Sequence, residues 1–142
     1  MQQTVTEMLR AFPKAPMVEG DELAACIDAC FDCAQSCLAC ADACLAEEHV
    51  SMLARCIRLN LDCAGICQTT GQVLTRQYQP DLELLRRTLE LCILACGACA
   101  VECEHHADQH EHCRICAEAC RRCEQACKKL LPVLDGKRAA PH

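Results

Sequence analysis

Cys26, Cys30, Cys33, Cys37, Cys40 and Cys44 follow one another at steps of 4, 3, 4, 3 and 4. On a helix with about 3.6 residues per turn, those steps keep all six within an arc of about 80°. They occupy the seam that aliphatic side chains normally fill, and they line it for roughly 27 Å at about 1.5 Å per residue. Such a row of sulfur points to metal or redox chemistry. Three more segments repeat it. Cys56, Cys63 and Cys67 form a second row, with Asn60 standing on the rung between the first two. Cys92, Cys96, Cys99 and Cys103 form a third, and Cys113, Cys116, Cys120, Cys123 and Cys127 a fourth.

The elements that must carry these rows follow from the same periodicity. Val5, Met8, Leu9 and Phe12 predict a short amphipathic helix over 4–12, stopped by Pro13 and Pro16, which packs outside the rest. The first cysteine row predicts a helix from Asp21, after Gly20, to about Ala46, and Glu47 to Val50 read as a turn. The second helix carries Met52, Cys56, Cys63 and Cys67 and continues through Thr70 and Leu74; Gln79-Pro80-Asp81 ends the hairpin, with Pro80 suited to the first turn of the next helix. The third runs from Leu82 to His106. An Asp108 to Glu111 capping box opens the fourth, which Pro132 or Gly136 ends. The fold class is therefore all-α: an antiparallel up-down-up-down four-helix bundle with a short N-terminal helix. Residues 1–19 are the short helix and linker, 20–136 the bundle in two related Cys-rich hairpins, and 137–142 a tail.

Antiparallel order makes the two ends of this bundle differ. Beyond Cys26, Cys67, Cys92 and Cys127 the seams become apolar (Leu23, Leu74, Leu85, Leu89, Leu130, Leu134), which predicts a plugged end. His49, Met52, His105, His106, His110 and His112 gather at the other, which predicts a mouth. His106 and His110 continue the seam from Cys103 to Cys113, and Met52 stands one step above Cys56, so these three are candidate ligands there. His49, His105 and His112 read as solvated turn residues. Asn60 is either a weak oxygen ligand within the ladder or a core residue that sets helix register.

Composition narrows the chemistry. The chain has 18 cysteines among 142 residues, and its only aromatics are Phe12, Phe31 and Tyr78. Neutral thiols, which behave as small hydrophobes, must therefore fill the core, yet packing alone requires no such number of sulfurs. The first residues show no basic region followed by an apolar one, which reads as no export signal and no membrane span and places the chain in the reducing cytosol. Disulfides within a row fail on geometry, because Cβ atoms three or four apart on a helix stand about 5–6 Å from each other against the ~3.8 Å required. A net charge of −6 argues against a nucleic-acid partner.

Among metals, Zn²⁺ or Cd²⁺ buffering in the manner of a metallothionein would leave about two negative charges per four-thiolate site, a cost that accumulates along a buried tube. Cu(I) is soft, accepts low coordination numbers and balances one thiolate with one positive charge. Charge balance therefore favours many Cu(I) ions, bound without enzymatic chemistry, in an apo bundle that is already folded. An iron–sulfur site is a weak match, because each CxxxCxxC is one frame of a longer helical ladder. A thiol redox protein is weaker, since it needs one or two activated cysteines at a helix N-terminus.

With cysteine rows of this number and inward register over about residues 20–134, the chain resembles the cytosolic branch of the bacterial copper storage proteins. The resemblance implies Cu(I) held by core thiolates, ions entering at the histidine-bearing end and tetrameric assembly. Copper chaperones or efflux proteins would be its protein partners. Asn60 departs from an all-thiol tube.

Overall fold

The computed structural model describes residues 2–18 and 20–138. It contains α1 (Gln2–Ala11), α2 (Glu22–Leu45), α3 (Ala54–Thr75), α4 (Leu82–His106) and α5 (Glu111–Arg138), with a 3₁₀ turn at Val50–Leu53 before α3. Helices α2 to α5 form the expected bundle: α2 packs beside α3 and α5, and α4 beside α3 and α5. Contacts between Cys26 and Cys127 and between Cys40 and Cys113 fix α5 antiparallel to α2. Contacts between Cys67 and Cys92 and between Cys56 and Cys103 do the same for α3 and α4.

All 18 cysteines are buried and unpaired by disulfides. The apolar residues expected to plug the far end are buried as well: Leu23, Leu74, Leu85, Leu89, Leu130 and Leu134. The linker adds Val18 to that plug, and Gln77 accepts a hydrogen bond from the Met17 backbone. Helix α1 lies against α2 through the partly buried Val5 and Leu9, whereas Met8 of its predicted stripe is exposed. Helix α2 is long and apolar enough to cross a membrane, but half of its apolar window is buried inside the bundle.

Local chemistry sets the boundaries. Gly20 adopts φ +96°, a left-handed conformation that favours glycine, and turns the linker into α2. Gly71 allows the Phe31 ring to lie against α3, where an added Cβ would meet that ring at 2.8 Å. Asp81 caps α4 by accepting the Leu84 N–H at 2.9 Å, so Pro80 precedes the cap instead of occupying the first turn. Helix α5 begins at Glu111, leaving Asp108 in the turn and not at the cap.

Pro132 does not end α5, which continues to Arg138. Its ring faces solvent while Leu130 and Leu134 are buried on either side, and that burial offsets the backbone hydrogen bond proline cannot make. Residues 137 and 138 thus belong to the helix; the remaining tail, with His142, lies outside the described residues. Ion pairs lace the outer faces, including Arg86 with Glu83 and Glu90 at 2.7 Å each and Arg121 with Glu104 at 2.8 Å across α4 and α5. Same-helix pairs of this kind contribute about 0.2–0.5 kcal/mol each, so the plug and the packed seams dominate stability.

Truncating Leu130 to Ala empties part of the plug and should cost about 3 kcal/mol, lowering the Tm of the metal-free protein by roughly 10 °C. Denaturant and thermal unfolding followed by circular dichroism measure it; an unchanged Tm would mean that the apolar end does not support the bundle.

Candidate metal centre

Each cysteine row places its sulfurs on the bundle axis, and the four rows interdigitate. Toward the plug, Cys26 Sγ lies 3.6 Å from Cys127, Cys30 lies 3.7 Å from Cys123, and Cys67 lies 3.4 Å from Cys96 and 3.8 Å from Cys92. At mid-height Cys33 is 3.7 Å from Cys120 and 3.9 Å from Cys63, while Cys37 is 3.6 Å from Cys120, 3.7 Å from Cys116 and 4.0 Å from Cys99. Nearer the mouth Cys56 lies 3.8 Å from Cys103, and Cys40 lies 3.8 Å from Cys113.

These contacts group into quartets whose sulfurs all lie within 4.8 Å of one another. Cys30, Cys92, Cys123 and Cys127 form one; Cys33, Cys63, Cys67 and Cys96 another; Cys40, Cys44, Cys56 and Cys113 the one beside the mouth. Two further quartets, Cys33/Cys37/Cys63/Cys120 and Cys37/Cys99/Cys116/Cys120, share members with each other. The centre is therefore a continuous ladder and not a row of separate sites.

Contacts between thiols, together with burial, set the protonation of the ladder. Burial pushes the Cys44 thiol up, and the neighbouring Cys40 and Cys56 push it further, since a second negative charge beside the first is penalised. Where thiols touch, one sulfur accepts and its neighbours donate. Hydrogen bonds from Cys127 and then Cys30 draw Cys26 down to about 6, while Cys30, bonded first to Cys123, is pushed up. The thiols in these groups cannot all ionise together without added positive charge.

Asn60 is fully buried on the ladder. Its Oδ1 accepts from Cys99 at 3.0 Å, Cys116 at 3.1 Å and Cys103 at 3.6 Å, and its Nδ2 donates to Cys56 at 3.5 Å. One amide thereby joins α3, α4 and α5, and it places an oxygen where the sequence pattern calls for sulfur.

The mouth departs from expectation at Met52 and at His112. Met52 falls in the 3₁₀ turn, whose tighter winding breaks the seam register; it is 75% exposed, and Leu53 is buried in its place. His106 lies 3.4 Å from Glu102 on its own helix, and Glu102 also faces the exposed His105 at 3.7 Å. His110 lies 3.3 Å from Glu47 and stacks on His112, with ring centroids 5.4 Å apart.

His112, expected in solvent, is the histidine that meets the sulfurs: its Nδ1 stands 3.4 Å from Cys40 Sγ and 3.6 Å from Cys113 Sγ. The signal was present in the spacing, because His112 lies one four-residue step before Cys116 and two before Cys120. His49 is exposed, as expected for a turn residue.

The family model of the copper storage proteins matches residues 19–132. Among solved structures, the copper storage protein Ccsp from Streptomyces lividans, loaded with 10 copper equivalents, is 48% identical, with a TM-score of 0.88 over 91% of this chain and 98% of that one. A cytosolic copper storage protein from Streptomyces lividans carrying five coppers is 52% identical over 79% of this chain and 93% of that one, with a TM-score of 0.78. The apo form of copper storage protein 3 from Bacillus subtilis is 34% identical over 75% and 96% of the two chains, with a TM-score of 0.64. No curated protein matches the sequence. Family match, structural likeness and sulfur-lined core agree: the chain belongs to the copper storage protein family.

Proposed function

We propose that this chain is a cytosolic, non-enzymatic store of Cu(I), holding many ions on its core thiolates. The observation that carries this reading is the continuity of the sulfur ladder. Sulfur separations of 3.4–4.0 Å bracket the ~3.8 Å edge of a tetrahedron with arms of about 2.3 Å, so spacing alone admits Zn²⁺ as well. Charge separates the two. Zn²⁺ at one per four thiolates would leave about nine uncompensated negative charges on 18 sulfurs, whereas Cu(I) at one per thiolate leaves none. Sharing of Cys33, Cys37, Cys63 and Cys120 between quartets suits bridging thiolates, and bridged clusters suit a soft monovalent ion.

In this reading residues 20–136 are the storage unit and the 18 cysteines are the principal ligands. Asn60 Oδ1 supplies an oxygen at its level, and His106, His110 and His112 receive ions at the mouth. Met52, exposed in the 3₁₀ turn, acts there if at all as an outer contact. Copper chaperones or efflux proteins deliver and withdraw the ions. Assembly as a homotetramer is supported by the family likeness and by the exposed apolar stripe Leu84, Leu91, Leu94 and Val101 on α4.

Anaerobic titration of the reduced apo protein with Cu(I) should saturate near one ion per thiol, release about one proton per ion and leave the helical circular dichroism signal unchanged. Saturation by Zn²⁺ near one per four thiols, with weak Cu(I) binding, would replace the store by a divalent buffer. Replacing Asn60 with Ala removes the acceptor for Cys99 and Cys116 and opens a cavity, so the apo protein should lose about 2 kcal/mol in denaturant unfolding. The variant should still bind Cu(I) near one per thiol; a large loss of capacity would make the amide a required ligand.

A further inference from the structure

We infer that Glu47 is a positioning residue for copper uptake, one that sets the tautomer of His112 so that a bare ring nitrogen faces the first sulfurs of the ladder. The inference rests on the storage reading above. Glu47 lies in the turn between α2 and the 3₁₀ segment, 65 residues from His112, so its contacts join two turns that the chain does not join itself. Its Oε1 stands 3.0 Å from His112 Nε2 and 3.3 Å from His110 Nδ1. A carboxylate only accepts, so the hydrogen bond at 3.0 Å holds a proton on His112 Nε2. In the neutral imidazole the one N–H is then on Nε2, so Nδ1 is the acceptor that meets the Cys40 and Cys113 thiols, 3.4 Å and 3.6 Å away. The His110 ring stacks on His112, with centroids 5.4 Å apart.

One carboxylate oxygen thus orients His112 toward Cys40, with the His110 ring stacked beside it. The transfer is a ligand exchange: copper stays monovalent, a nitrogen–copper bond gives way to a sulfur–copper bond, and the thiol proton leaves to the buffer. Without Glu47 the His112 ring is free to place its proton on Nδ1, where it blocks the ring nitrogen that faces Cys40 and Cys113. Glu102 makes a comparable contact with His105 and His106, but all three belong to α4, so it joins no second element. Carboxylate partners that fix a ligand histidine in this way typically govern metal affinity or activity by about 10–100-fold.

The test uses the full-length reduced protein. Uptake is followed by bleaching of a coloured Cu(I)–bathocuproine disulfonate complex, and the His112 tautomer of the apo protein by long-range ¹H–¹⁵N NMR. Wild-type His112 should carry its proton on Nε2. Glu47→Ala should mix the tautomers and slow the first phase of uptake about tenfold, with the final copper content unchanged. Glu47→Gln, whose carbonyl can accept the same N–H, should recover most of the rate. Glu104→Gln, which removes an equal charge from the Arg121 pair on the outer face, should load like wild type. A proton on Nδ1 in the wild type, or Glu47→Ala loading at the wild-type rate, would overturn the inference. If the wild type takes up no Cu(I), the storage reading fails instead, and the NMR result still decides the tautomer.

Discussion

A buried thiolate is costly unless a proton or a cation balances its charge, and eighteen sulfurs on one bundle axis set the terms for everything else in this protein. Protonated, they are small apolar groups that pack against each other at van der Waals distance and let the helices assemble without metal. Ionised together they would repel strongly in a medium of low dielectric constant. The core therefore passes between two neutral states, protons on sulfur or monovalent ions on sulfur, and the exchange of one for the other is the chemistry the bundle allows.

That constraint accounts for the unequal ends. The far end is closed by buried leucines, which fix the helices. The near end is built from short turns carrying histidines and carboxylates, the groups that support reading it as the entrance. Paired carboxylate–imidazole contacts keep those rings ordered at partial exposure, which a loop of unsupported histidines would not achieve. Asn60 sits where the ladder nears this end. Its amide meets four thiols at once, so it leaves neither its oxygen nor its nitrogen without a partner on the ladder.

The likeness to copper-loaded bundles of the same family follows from the same physics. Side chains at steps of 3 and 4 face one axis in any antiparallel bundle, and a family that keeps sulfur at those steps keeps the ladder even where the outer faces diverge. The outer surface here combines local ion pairs with the apolar stripe on α4, and it carries little of the copper chemistry.

The sequence by itself determined the helices, their antiparallel order, the inward sulfur and the position of the plug, because a two-letter spacing of 3 and 4 allows one face per helix and short connections allow one topology. It also placed Asn60 on the ladder. Only the tertiary structure decided which sulfurs form quartets, since that depends on the relative heights of four helices. It alone decided the mouth: the 3₁₀ turn rotated Met52 outward and Leu53 inward, Pro132 was absorbed because both its leucine neighbours are buried, and His112 turned to Cys40 under Glu47. These residues lie at helix ends, where periodicity stops constraining direction and contacts between distant segments take over.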